Sequence, residues 1–104
     1  MRKDAVKALE DIQECVAEGR YFVLQHFIQR MDERGLFWSD ILTVVDNPSA
    51  IRRDGFDDWN RAKWVIEGKT TDGLPIGIVV AVAKDEAGKT AAFITTFWKK
   101  DSIS

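Results

Sequence analysis

A chain of 104 residues with 45% hydrophobic and 31% charged side chains has the composition of one ordinary globular domain, and at this length about 65% of the unfolded surface can be buried around a single core. A net charge of −2 and a pI of about 5.3 argue against a dedicated nucleic-acid binder, which carries a basic excess, while leaving room for a local basic site. Cys15 is the only cysteine, so an intrachain disulfide is excluded, and in a helical stripe it reads as a small buried apolar residue.

Apolar positions at Ala5, Leu9, Ile12 and Val16, flanked by Ala8 and Cys15, recur every three or four residues and predict an amphipathic helix over 3–18. Asp4 serves its first turn, and Gly19 ends it. Residues 21–24 (Tyr-Phe-Val-Leu) fit either a strand or the entry to the next helix, and are read as a short link into a second helix over 24–34. Its apolar stripe is Leu24, Phe27, Ile28 and Met31, and Gly35 supplies the positive φ that stops it. Leu36, Phe37 and Trp38 carry apolar bulk across a turn. Ser39 then caps a short third helix holding Ile41, Leu42, Val44 and Val45. Asn47-Pro48 ends that helix, because the residue before a proline is pushed out of the α region.

From Ala50 the pattern changes. Residues 51–53 predict a short edge strand, and 54–60 a polar and aromatic loop. Residues 63–69 alternate, with Trp64 and Ile66 against Val65 and Glu67, and Asp72-Gly73 marks a turn. Pro75 suits a strand entrance. Residues 76–83 are apolar on both alternate sets, as in a central strand covered on both faces. A turn at 85–88 leads to 90–98, where Ala91, Phe93, Thr95 and Phe97 alternate with Ala92, Ile94, Thr96 and Trp98. The polar tail, 99–104, is expected to fray. The sum is a single α+β domain over 1–104, with two to three N-terminal helices packed on a three- to four-stranded antiparallel sheet. The strand at 76–83 should lie between the other two.

Opposite the apolar stripe of the second helix, His26, Arg30 and Glu33 fall at i, i+4 and i+7, with Arg34 at their border. Histidine is the side chain that ordinarily titrates near neutral pH, and guanidinium groups hold phosphate oxygens by paired hydrogen bonds. These four residues are therefore catalytic candidates for chemistry on an anion. A solvated helix face with an ordinary exposed Arg30–Glu33 pair is the competing reading. Trp59, Trp64 and Trp98 suit base stacking, a core or a partner interface. Asp57, Asp58, Asp85 and Glu86 lie in different loops without ligand spacing, so no metal site is expected. No glycine-rich phosphate loop or Cys/His cluster suggests a cofactor. No stretch is long enough to span a bilayer, since the apolar run 76–83 is strand-sized. Arg2 and Lys3 precede no apolar signal core, so the expected compartment is the cytoplasm.

The order His26-x3-Arg30-x3-Arg34-Gly35, an apolar residue, a short helix and Asn47-Pro48 is followed by a strand ending Glu67-Gly68-Lys69-Thr70. Asp72-Gly73 and an apolar strand come next. Over about residues 20–98 this arrangement resembles a family of small bacterial domains of unknown function that is similar to the RelE and BrnT toxins. Those toxins are ribonucleases of toxin–antitoxin pairs, with helices packed on an antiparallel sheet. The resemblance implies a RelE-like fold and a toxin-like endoribonuclease acting without metal. It also implies an antitoxin-like protein partner and RNA or the ribosome as target. Lys69, Thr95 and Lys99 would bind substrate from the uncovered sheet face, where the site of such a toxin would lie. The alternative on the same fold is a non-enzymatic interaction module, forming a homodimer or partnering another small protein.

Overall fold

The apolar run at Tyr21 decides the architecture in a way its neighbours in sequence do not reveal. A computed structural model describes residues 3–99. In chain order its elements are α1 (Lys3–Ala17), β1 (Tyr21–Val23), α2 (Gln25–Arg34), α3 (Trp38–Asp46), β2 (Ala50–Phe56), β3 (Ala62–Lys69), β4 (Pro75–Asp85) and β5 (Gly88–Trp98). The strands form one sheet in the order β1-β5-β4-β3-β2. From β2 to β5 the pairing is an antiparallel meander, with β4 between β3 and β5 as expected.

β1 corrects two expectations. It pairs parallel with β5, Tyr21 against Ala91 and Val23 against Phe93, so the sheet is mixed and has five strands. Residues 21–23 are therefore a strand and not a link into α2. Three residues are too few for an alternation to show, and the strand that stabilises them lies near the far end of the sequence. The ladder closes with Ala91 N–H donating to the Arg20 carbonyl at 3.1 Å and Leu24 N–H to the Phe93 carbonyl at 3.0 Å.

One face of the sheet carries the helices. Trp64 and Ile66 of β3, Ile76, Ile78 and Val80 of β4, and Ala91 and Phe93 of β5 form a core with Ile12 of α1, Phe27 of α2, and Ile41 and Val44 of α3. Tyr21, Trp38, Phe27 and Phe93 make its aromatic centre. The Tyr21 and Trp38 rings stack at 5.4 Å, and Phe93 meets Trp38 edge-on at 5.2 Å. The alternate residues Val65, Val79, Ala81 and Ala92 are also buried but belong to the other face.

β5 does not alternate as its sequence suggests. Val79 opposes Thr95 and Val80 opposes Phe93, which leaves Ile94 as an extra residue. Beyond this bulge Thr96 and Trp98, not Thr95 and Phe97, share the helix side with Phe93. Thr96 is 1% exposed, and its hydroxyl donates to the Gly77 carbonyl at 2.9 Å. On the open face the Phe97 ring lies against the α-carbon side of Gly77, where an added Cβ would overlap the ring.

Three smaller corrections concern the helices and β2. Ser39 lies inside α3 and does not cap it. Phe37 occupies the cap position, and its N–H is taken by the carboxylate of Asp40 at 3.0 Å. Ile28 is 47% exposed, because it sits about 100° around α2 from the fully buried Phe27. β2 runs on to Phe56, so residues 54–56 are an irregular strand end where a loop was expected. Gly35 does end α2 at φ 65°, where Leu36 N–H reaches back to the Met31 carbonyl at 2.8 Å. The expected fraying over 100–104 lies outside the described residues.

Candidate functional site

The helical spacing of His26, Arg30 and Glu33 brings them into contact along α2. Arg30 Nε–H donates to His26 Nε2 at 3.4 Å, and Arg30 Nη1 reaches Glu33 Oε1 at 3.0 Å. Arg34 Nη1 stands 3.8 Å from the same Glu33 oxygen. All four sequence candidates thus form one run of contacts, with His26 and Arg34 at its ends and the exposed Glu33 between the two guanidiniums. Pairs this exposed add little stability, on the order of 0.3–0.5 kcal/mol each. The Nε of Arg34 is buried and has no hydrogen-bond partner. His26 sits in the first turn of α2, behind Leu24, which has no side-chain acceptor to cap the helix. That end presents unpaired N–H groups and the positive pole of the helix.

Lys69, Thr95 and Lys99 are on the other side of the sheet. Thr95 opposes Val79, and Lys69 opposes Pro75, whose carbonyl accepts the Lys99 N–H at 3.0 Å. Lys99 Nζ pairs with Glu67 at 3.3 Å, and Glu67 also lies 4.0 Å from Arg52. α2 packs toward the helix-side core through Phe27, which meets the Phe93 ring edge-on at 5.7 Å. Among the described residues no hydrogen bond or ion pair joins these three residues to α2. The structure gathers the first group and keeps the second apart from it.

A further site gathers Trp59, Asp57 and Asp58, which the sequence offered only singly, with Phe56, Arg53 and Arg61, which it did not single out. The loop between β2 and β3 is fixed by Asp57, whose carboxylate accepts the N–H groups of Trp59 at 2.9 Å and Arg61 at 2.8 Å and pairs with the Arg61 guanidinium. Burial pushes the Asp57 carboxyl up, but the bonds from Arg61 and Trp59 outweigh it and hold it below its ordinary value. Asn60 takes a left-handed φ of 59° to close the turn. The loop presents Trp59, 69% exposed, with the Arg61 guanidinium 5.0 Å from its ring. Phe56, also exposed, carries Arg53 at 4.6 Å over its ring. Beside them is an open cavity of about 280 Å³ walled by Leu24, Phe56, Trp59, Ile94, Asp58 and Lys63. The Asp57-x-Trp59-Asn60-Arg61 string carries a turn signal in its Asp and Asn, which is the clue available before folding.

The remaining candidates resolve simply. Trp64 is a core residue, and Trp98 is partly exposed at the end of β5. Among the described residues no three His, Cys, Asp or Glu side chains gather as a metal site. Asp85 instead accepts the Ala87 N–H of its own turn at 2.9 Å. Cys15 is buried with its Sγ 3.3 Å from the Lys89 carbonyl, and burial pushes its thiol up, away from the reactive thiolate. No described helix is long and apolar enough to cross a membrane.

Residues 23–98, from the end of β1 to the end of β5, match the family model described as Domain of unknown function (DUF4258). The chain belongs to this family. The DUF4258 match takes in the α2 line, the Asp57 loop and the meander, and leaves α1 outside. No curated protein matches the sequence, and no solved structure matches the fold.

Proposed function

We propose that this DUF4258 domain is a toxin-like endoribonuclease of the RelE/BrnT kind, acting without metal from the exposed face of α2. The observation that supports it is the single run of contacts from His26 through Arg30 to Glu33 and Arg34. Attack of a ribose 2′-oxygen on the adjacent phosphorus forms the P–O2′ bond and breaks the P–O5′ bond. The 2′-hydroxyl must lose a proton and the leaving 5′-oxygen must gain one. His26 and Glu33 divide these two transfers. Arg30 lies between them and Arg34 beyond Glu33, and both neutralise charge on the phosphorane oxygens. Lys69, Thr95 and Lys99 lie on the other sheet face and take no part at this centre. A small antitoxin-like protein is the expected partner of such an enzyme.

Expression in a bacterium should slow growth, and purified protein should cut RNA in the presence of a chelator. The products should carry a 2′,3′-cyclic phosphate or its hydrolysis product. His26→Ala should lower the rate by about 10²–10⁴-fold, the usual contribution of a general acid or base. Harmless expression, together with RNA left intact on and off ribosomes, would sink the enzyme reading.

A second reading, a non-enzymatic interaction module, is favoured by one observation. Phe22, Phe56 and Trp59 are all exposed, and aromatic residues of this kind are enriched in protein interfaces. Loss of a partner on Trp59→Ala, with no RNA cleavage by the parent chain, is the outcome this reading expects.

A further inference from the structure

We propose that two copies of this chain associate through the surface around Trp59, each seating its indole in the cavity that the other copy forms beside Phe56. This rests on the interaction reading, to which it gives a partner, and its test is separate from the cleavage assay that tests the ribonuclease reading.

Trp59 is 69% exposed, yet its backbone is fixed by the Asp57 carboxylate, and Arg61 lies over its ring. An aromatic held this way loses little freedom when it is buried by a partner, which is the condition for an interface hot spot. The cavity at its side has apolar walls in Leu24, Phe56 and Ile94, so knob and hole occur on one surface. A two-fold contact requires that combination, because the same patch must serve on both copies.

The charges on the rim are self-complementary as well. Asp58 and Lys63 line the same cavity, and the nearest carboxylate paired with Lys63 is Asp54, at 3.7 Å. A two-fold axis through the patch sets each Asp58 against the other copy's Lys63. Other occupants fit less well. A phosphate chain would meet Asp58 on a chain of net charge −2. A cationic ligand would find one face each of Phe56 and Trp59 already taken by Arg53 and Arg61. Edge-to-edge strand pairing is opposed at β2 by Arg52, Arg53 and Asp54 and by the irregularity between Arg53 and Phe56.

The test is the mass of the full chain in solution over a range of concentration. We expect twice 11.8 kDa at high concentration, dissociating on dilution. Trp59→Ala should run as a single chain with an unchanged circular dichroism spectrum and, at dilutions where the parent is also a single chain, an unchanged melting temperature. Asp58→Lys and Lys63→Asp should each be monomeric alone, and an equal mixture of the two should recover a heterodimer, because both rim contacts are then again between opposite charges, one with its sign reversed and one as in the parent. A single-chain mass at every concentration overturns the proposal, as does a dimer that Trp59→Ala leaves intact. A monomer that cleaves RNA through His26 removes the interaction reading too, whereas a monomer without such cleavage removes the homodimer alone.

Discussion

The carboxylate of Asp40, in the first turn of α3, accepts both the N–H and the hydroxyl of Thr71 in the β3–β4 turn, at 3.3 and 2.8 Å. Its other oxygen takes the Phe37 N–H, so one 6%-exposed side chain ties a helix start to a distant hairpin. The Phe37 N–H holds the carboxyl below its ordinary value; burial opposes this and the two Thr71 donors reinforce it. A carboxyl whose folded pKa is depressed adds stability above its unfolded pKa and loses it as pH falls through the folded value. Asp40→Asn should cost about 1.5–3 kcal/mol at neutral pH, the worth of bonds to a charged group. Urea unfolding at neutral and acid pH checks both parts: the deficit of the variant should shrink in acid. A deficit that is constant with pH would mean the carboxylate charge is irrelevant.

Gly77 and Phe97 face each other on the open side of the sheet, and a Cβ at 77 would enter the ring. Both flanking strands are tightly paired, so the ring has to turn aside. Gly77→Ala should destabilise by about 1–3 kcal/mol, as overpacking does. Adding Phe97→Ala should bring back part of that loss, a coupling that a double-mutant cycle in urea measures directly. Additive effects would show that the ring already moves freely.

Much of this arrangement is legible before folding, and the exceptions share a cause. The helix α1 and the central position of β4 follow from local periodicity; of the expected stripe Ala5 and Ile12 are buried while Leu9 and Val16 are only half-buried, and the flanking Ala8 and Cys15 are buried in their stead. At Tyr21–Val23 local sequence leaves strand and link undecided, because the strand gains its bonds from the distant β5. The β5 bulge at Ile94 reversed which of Thr95 and Thr96 faces the core, a choice set by register and not by composition. At the site, the His26–Arg30–Glu33 contacts follow from helical spacing alone. The separation of Lys69, Thr95 and Lys99 from α2 needed the sheet, since only the strand pairing says which face each residue takes.

Arg30 separates charge from shape in the enzyme reading. It touches His26 through Nε and Glu33 through Nη1, a planar fork that lysine cannot reproduce. Arg30→Lys should therefore restore only part of the cleavage rate lost in Arg30→Ala. The salt dependence of RNA binding should be shallow, because a chain of net charge −2 neutralises few phosphates. A lysine variant equal to the parent would reduce the role of Arg30 to net charge.

Phe27 and His26 are neighbours in sequence with opposite surroundings, which allows α2 to be split into scaffold and surface. Phe27 is fully buried and meets Phe93 at 5.7 Å and Trp38 at 6.3 Å, both edge-on. Phe27→Ala should cost about 3–5 kcal/mol, since it removes those contacts and opens a cavity between α2 and β5. His26 is exposed, and its side-chain hydrogen bond is to Arg30 at 3.4 Å. His26→Ala should cost under about 1 kcal/mol, as surface substitutions do. Thermal melts of the two variants decide the matter. A His26→Ala protein as damaged as Phe27→Ala would make His26 a structural residue and remove the centre of the proposed site. A large gap between them would mean that any functional loss in His26→Ala is not a consequence of unfolding.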